Sequence, residues 1–409
     1  MGILEVIISL IVIGIIAYLS GRIAEFIKLP SLIGMIVSGM IIGPAFLNIV
    51  PEHTLMIAPH IKDIALVTVL FVGGLGISLN QMKSIGRPAV LLSVVPALVE
   101  GFTIAFLAIK FLGFTFVQGG ILGFIIAAVS PAVLVPSMVE LIRKGIGQDK
   151  AIPQMLLVGA SADDTVAITL FTTFLSVYMS GVSGDNVSII SEIINIPMTI
   201  IISIAIAWIL AILTKKIYIN IKENKFKVVI ALIICLSIRA IENITYFKLL
   251  NSLLTIMIYG FLLRSYLGEI AKSIQDGINV IWKYGKLYLF AFVGMAINPK
   301  LVGEYFLIGT LMLLISLTMR SIGVMISLIG TKLTLKEKLF CVIAYLPKAT
   351  VQSAKAGVPL KMGVANGDVM QAIAILSVLV TAPIGAIGIK LTSKRFLTLE
   401  DKEDNEKLA

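Results

Sequence analysis

The chain has 409 residues, 58% hydrophobic and 14% charged, with a formal net charge of +10 and a mean hydropathy of +1.04. That composition excludes a soluble globular domain and places the chain among all-α polytopic membrane proteins, with the lipid bilayer as its surroundings. In such a chain a basic excess marks loop topology, so nucleic acid is not an expected partner.

Apolar windows of about 20 residues predict thirteen transmembrane helices, at 2–20, 31–49, 62–79, 88–111, 117–142, 153–180, 191–214, 226–244, 248–266, 280–298, 303–329, 337–358 and 368–392. The first window carries Glu5 and no leading basic residue, which reads as a retained helix rather than a signal peptide. His53 and His60 fall in one polar loop and are read as solvated. Basic residues collect in alternate loops: Arg22 and Lys28; Lys83 and Arg87; Arg143, Lys144 and Lys150; and five lysines from Lys215 to Lys227. The same side continues with Arg264 and Lys272, Lys332 to Lys338, and Lys390 to Arg395, while the opposite loops hold isolated lysines such as Lys62, Lys248, Lys300 and Lys361. The positive-inside rule then puts the N-terminus outside and the C-terminus in the cytoplasm of a multi-pass protein of the cell membrane. Cys235 and Cys341 lie in apolar windows without metal-like spacing, so neither a disulfide nor a cysteine metal site is expected.

The charges inside the windows carry the functional signal. The fourth window holds Glu100 mid-segment, and the fifth holds Ser130-Pro-Ala-Val-Leu-Val-Pro136, where each proline removes a backbone donor and breaks the helical ladder. In the sixth, Asp163 and Asp164 stand side by side between Met155 and Phe171. An aspartate near the bilayer centre costs about 2.5–3.5 kcal/mol on insertion scales, so two together mark an ion or proton site. A hydrogen-bonded helix pair would need only one asparagine. Arg239, close to Glu242 in the eighth window, is expected to snorkel outward, as is Lys355 in the twelfth. Arg320 lies within the eleventh window and cannot lose its proton, so it is a fixed charge. In the twelfth, Tyr345-Leu-Pro-Lys-Ala-Thr-Val-Gln352 repeats the break, with Lys348 placed to offset the partial negative charge of a half-helix C-terminus.

The two halves echo each other at an offset of about 220 residues. Ser31-Leu32 with Gly39 matches Ser252-Leu253 with Gly260, and Gly74-Leu-Gly-Ile77 matches Gly294-Met-Ala-Ile297. Pro131, Val135 and Ser137 match Pro347, Val351 and Ser353. A shift of seven helices turns the second copy over. The reading is one transmembrane domain, 1–392: repeat one at 1–180, a linker helix at 191–214 and an inverted repeat two at 226–392, followed by a short tail at 393–409. Inverted repeats with paired helix breaks are a signature of secondary transporters, whose substrate site lies near the midplane where the copies meet. Freed carbonyls at the breaks are expected to help coordinate a dehydrated cation. Glu100 and Arg320 occupy corresponding places, and opposite charges so related meet and offset each other's desolvation.

Val129-Ser-Pro-Ala-Val-Leu-Val-Pro136, Ala160-Ser-Ala-Asp-Asp-Thr-Val-Ala-Ile168 and Leu346-Pro-Lys-Ala-Thr-Val-Gln352 resemble the monovalent cation/proton antiporter superfamily, nearest to its NHA branch of sodium/hydrogen exchangers. Leu29-Pro-Ser-Leu-Ile-Gly34 to Gly43-Pro44 is typical of the whole superfamily, and the similarity covers nearly the entire chain. The resemblance implies an NhaA-like antiporter fold with crossed discontinuous helices, in a homodimer. It implies Asp164 as the shared cation and proton carrier with Asp163 beside it, and Arg320–Glu100 as a structural ion pair. Many members carry Thr-Asp-Pro at the first crossing; this chain has Val129-Ser130-Pro131. Asp163 together with Arg320 combines features of electrogenic and electroneutral relatives and leaves the stoichiometry open.

The expected activity is exchange of Na⁺ or Li⁺ for H⁺, not enzymatic catalysis, with no cofactor beyond the transported ions. Sodium or lithium would sit on Asp164 and Asp163, with Ser161, Ser130 and Thr165 as ancillary oxygen ligands. A K⁺/H⁺ antiporter, a cation channel and a sodium symporter of the bile-acid type are the competing readings. A channel would want a filter-like ring that the sequence lacks, and two carboxylates beside an Arg–Glu pair suit a small cation better than a large anion.

Overall fold

Every apolar window contains helix, and the described residues hold only one isolated antiparallel bridge, between Ile146 and Leu399. The computed structural model describes residues 2–27, 29–77, 79–183, 189–245, 250–296 and 303–399; Lys28, Lys248, Ile297, Lys300 and the tail beyond Leu399 lie outside them. The first half comprises α1 (Gly2–Phe26), α2 (Ser31–Ile42), α3 (Glu52–Leu75), α4 (Leu79–Leu112), α5 (Phe116–Ile126), α6 (Pro131–Arg143) and α7 (Ile152–Ser183). Next come α8 (Ile189–Asn220), α9 (Asn224–Thr245), α10 (Ser252–Leu267), α11 (Glu269–Met295) and α12 (Phe306–Ser327). The chain continues with α13 (Leu335–Ala344), α14 (Thr350–Lys355), α15 (Val358–Lys361) and α16 (Gly367–Phe396).

The two windows expected to be discontinuous are so. The fifth window divides into α5 and α6 and the twelfth into α13 and α14, as the prolines require. Among the described residues, eight helices are long and apolar enough to cross a membrane. α2 and α10 are apolar but shorter, and α11 carries Asp276, Lys283 and Lys286 before its apolar end at Leu287–Met295. His53 and His60 lie on α3 rather than in a loop, because Pro51 and Glu52 start the helix there. α16 runs to Phe396, past the expected boundary at 392, since Lys394 and Arg395 in its last turn face the negative end of the helix dipole.

The two half-helices that precede the breaks start alike. Thr115 and Gln118 form a capping box on α5, and Thr334 and Glu337 form another on α13, each partner 219 positions from its counterpart. The glycines of the matched segments explain how the halves lie together. Without a Cβ, Gly39 on α2 meets the Ala291 carbonyl on α11, and Gly294 on α11 meets the Ile36 carbonyl on α2. On the other pair, Gly74 on α3 meets the Met257 carbonyl on α10, and Gly260 on α10 lies 2.8 Å, by its virtual Cβ, from the Phe71 carbonyl on α3. Between membrane helices the hydrophobic effect supplies no drive, so such backbone contact at small residues is the means of packing. These contacts are reciprocal: each helix of the first half gives its glycine to the partner that takes its carbonyl.

Arg239 does not snorkel. It reaches Asp63 of α3 at 2.9 Å and pairs with Glu242, which also accepts from the Ser252 hydroxyl, so α3, α9 and α10 are tied together. Around α4, α5, α7, α12 and α16 packs the larger apolar core, and a second cluster gathers Phe71, Cys235, Tyr259 and Ile274.

Candidate ion-binding site

The two helix breaks touch: the Ser130 N–H donates to the Pro347 carbonyl at 2.8 Å. A broken helix exposes carbonyls at the end of one half and N–H groups at the start of the next. At the end of α5 those carbonyls take donors from the second half of the chain. Arg320 Nη1 donates to Ala127 O, and Lys348 Nζ donates to Ala127 O and Ala128 O at 3.4 and 3.3 Å. Gln352 Nε2 donates to Ile126 O at 3.2 Å and Ala128 O at 2.8 Å, while its Oε1 accepts the Ala349 N–H at 2.9 Å. Gln352 thus fastens one break to the other. The carbonyls expected to ligate a cation are instead engaged, two of the three by cationic side chains. The helix C-terminus that the Lys348 ammonium meets is that of α5.

Glu100 on α4, Arg320 on α12 and Lys348 are all fully buried. Glu100 Oε2 accepts from Arg320 Nη1 at 2.7 Å and from Lys348 Nζ at 2.6 Å. Arg320 also donates through Nε to Tyr345 O at 2.7 Å, and its guanidinium carbon lies 5.5 Å from the Tyr345 ring centroid. Such saturation is what offsets the desolvation of a buried guanidinium. The remaining nitrogen, Nη2, reaches Asp163 Oδ2 at 3.4 Å.

The adjacent aspartates of α7 have different surroundings. Asp163 Oδ2 accepts the Val129 N–H at 2.7 Å, which fixes the strand of backbone leading into α6. Thr381 does the same at the second break, its hydroxyl accepting the Lys348 N–H at 2.8 Å, 218 positions further on. Asp164 is 3% exposed and, among the described residues, forms no ion pair. Its Oδ1 has no hydrogen-bond partner, nor have Asp163 Oδ1 and the buried Ser130 hydroxyl. Two carboxylates, Glu100 and Asp163, and two cations, Arg320 and Lys348, therefore close into one buried cluster, and Asp164 is left over.

Ser161 lies one turn before Thr165 on α7, with its hydroxyl donating to Leu157 O at 2.9 Å and Met257 Sδ at 3.2 Å. The Thr165 side chain lies outside the described residues. Three participants had no assigned role in the sequence reading. Gln352 closed the quoted run without one, Tyr345 contributes a carbonyl that no pattern marks, and Thr381 looks like any threonine on an apolar helix.

A cavity of about 960 Å³ opens between α6 and α16 on one side and α3, α10 and α11 on the other. Neither aspartate lines it; it stops at Pro136 and Ser137 on α6.

A family model described as "Sodium/hydrogen exchanger, transmembrane" matches residues 8–395. Sodium/hydrogen exchanger 9B2 of Xenopus tropicalis is 32% identical over 403 residues, covering 93% of this chain and 73% of that protein. The Homo sapiens protein of the same name is 30% identical over 414 residues, covering 95% and 75%. Among solved structures, the sodium proton antiporter MjNhaP1 of Methanocaldococcus jannaschii superposes with a TM-score of 0.76 at 21% identity, over 97% of this chain and 99% of that one. That last likeness is one of fold.

Proposed function

The chain belongs to the sodium/hydrogen exchanger family, and from that premise we propose that it exchanges Na⁺ for H⁺ across a membrane, with Asp164 as the shared carrier. The observation that carries this reading is the contrast between the two aspartates. Every other buried charge near the helix crossing has an opposite partner, and Asp164 has none. An unpaired intramembrane carboxylate is costly, and a transported ion or proton is what offsets that cost.

A small monovalent cation takes oxygen donors. The Asp164 carboxylate, the unengaged Oδ1 of Asp163 and the unengaged Ser130 hydroxyl are the first candidates, with Ser161 and Thr165 as further ones and Li⁺ as an alternative cargo. When the cation leaves, the same carboxylate takes a proton. The Glu100–Asp163–Arg320–Lys348 cluster is balanced, so Asp164 alone decides whether the site carries net charge. Loaded with Na⁺ or H⁺ the site is neutral; empty, it holds one uncompensated negative charge in a low-dielectric region. If only the neutral forms cross, exchange is obligatory and one cation moves for one proton.

The reciprocal glycine contacts and matched caps support two inverted repeats, 1–180 and 226–392, joined by the helix over 191–214. The loop charges support an N-terminus outside and a cytoplasmic C-terminus in the cell membrane. A homodimer completes the proposal. Its test is purified protein in liposomes loaded with a pH dye. A Na⁺ or Li⁺ gradient should drive proton movement the other way; dye that stays silent to Na⁺, Li⁺ and K⁺ alike would remove the assignment.

A further inference from the structure

Buried side chains fill the interval between the cavity and the aspartates. On α6 the cavity ends at Pro136, and on α3 at Val72, Leu75 and Gly76. The neighbouring Val135 on α6 and Leu157 on α7 are fully buried, and each lies 3.7 Å from where a Cβ on Gly73 of α3 would stand. From α10 comes the Met257 side chain, 1% exposed, whose sulfur accepts the Ser161 hydroxyl at 3.2 Å. Ser161 stands one turn after Leu157 and three positions before Asp164, so it shares a face of α7 with the carboxylate. The Met257 backbone is pinned, because its carbonyl packs on Gly74 where no Cβ intervenes. Its side chain is free to swing, since methionine is unbranched with three rotatable bonds.

A thioether is a weak hydrogen-bond acceptor, and its soft sulfur does not suit an alkali cation, which takes oxygen. Met257 therefore competes with a cation for Ser161 rather than helping to hold one. The Ser161 hydroxyl also donates to the Leu157 carbonyl at 2.9 Å. It keeps that bond when the sulfur leaves, and its oxygen is then free to ligate. We propose that Met257 is a specificity-determining residue of the exchange reaction: it occupies Ser161 while Asp164 holds no cation, and a cation arriving from the cavity displaces it. This rests on the reading of Asp164 as the carrier. A proton needs the carboxylate alone and no shell of ligands, so the thioether weighs on one cargo and not on the other.

The experiment is a Na⁺ titration of the purified full chain in detergent, with the dissociation constant read from the rise in melting temperature. Met257→Ala should tighten Na⁺ binding several-fold. Met257→Leu, one atom shorter and without an acceptor, should tighten it less, and it keeps the core filled if the alanine variant does not fold. Ser161→Ala should weaken Na⁺ binding, and on that background Met257→Ala should no longer tighten it, because nothing is left to compete for. In Na⁺-free buffer the pH profile of melting should be the same in wild type and in both Met257 variants. Unchanged Na⁺ affinity in both variants, or tightening that persists without Ser161, would overturn the proposal. So would a pH profile that shifts along with the Na⁺ curve. A wild-type melting temperature indifferent to Na⁺ and Li⁺ would instead remove the cation site itself, and this inference with it.

Discussion

Lys348 and Arg320 donate to the same atom, Oε2 of Glu100, at 2.6 and 2.7 Å, from an element and a helix that are not adjacent in the chain. One carboxylate oxygen thereby holds two cations together at the point where the broken helices cross. The pair expected from the sequence is a triad.

Removing Glu100 should therefore cost more than removing either cation. Glu100→Gln leaves two buried positive charges facing each other, and breaking a buried pair from one side costs about 3–5 kcal/mol. Adding Arg320→Met should recover only part of the loss, because Lys348 still lacks its carboxylate. Thermal melting in detergent should show coupling above about 1 kcal/mol for Glu100 with each cation. Additive shifts would mean the triad is not an energetic unit.

The two aspartates should separate in opposite directions. Asp164→Asn removes a buried carboxylate that has no partner, so in Na⁺-free buffer it should raise the melting temperature while abolishing cation-driven proton movement. Asp163→Asn weakens the hold on Arg320 and on the Val129 N–H and should cost about 1–3 kcal/mol. Melting curves and dye-loaded liposomes on the same preparations decide it. Strong exchange by Asp164→Asn would displace Asp164 from its role.

Transport should not respond to voltage. If Asp164 is the one carrier, as proposed, and the arginine stays charged, the exchange rate should be the same under a potassium–valinomycin potential of either sign. Arg320→Lys is the informative variant, since a lysine can titrate where an arginine cannot. A current in wild-type vesicles on a cation gradient alone would mean that a second group carries a proton through the cycle.

Neighbouring glycines on α3 should behave differently. A Cβ on Gly74 collides with the Met257 backbone, whereas one on Gly73 meets Leu157 and Val135 side chains at 3.7 Å, an ordinary contact. Gly74→Ala should lower stability by about 1–3 kcal/mol through overpacking, and Gly73→Ala should lie within about 0.5 kcal/mol of wild type. Equal melting shifts would mean that α3 and α10 do not approach as closely as described.

Hydropathy and proline placement made the helices and their two breaks legible, because both act locally. Asp163 and Asp164 stood out for the same reason: a charge in an apolar run is costly wherever the run folds. What the sequence did not show was direction. Lys348 was legible as a charge at a half-helix C-terminus, but the reach of its ammonium across the crossing to Glu100 and the end of α5 was not. Arg239 looked like a snorkelling group until Asp63, 176 positions away, supplied a partner. Gln352 and Thr381 carry no unusual composition, and their roles exist only once the breaks are brought together. The terminal helix runs past 392 to Phe396, because basic residues at a helix end resemble the start of a polar tail.

The engaged carbonyls at the end of α5 bear on which alkali ion the protein prefers. Ala127 O and Ala128 O each accept two donors, and Arg320 and Lys348 place positive charge beside them. An ion at the proposed Asp164 site would thus be denied the rigid carbonyl cage by which a potassium filter replaces a hydration shell. Carboxylate and hydroxyl oxygens alone leave part of that shell in place. Discrimination then rests on how much water each ion surrenders to a strong anionic field, a criterion that ranks ions by hydration energy and tolerates more than one size.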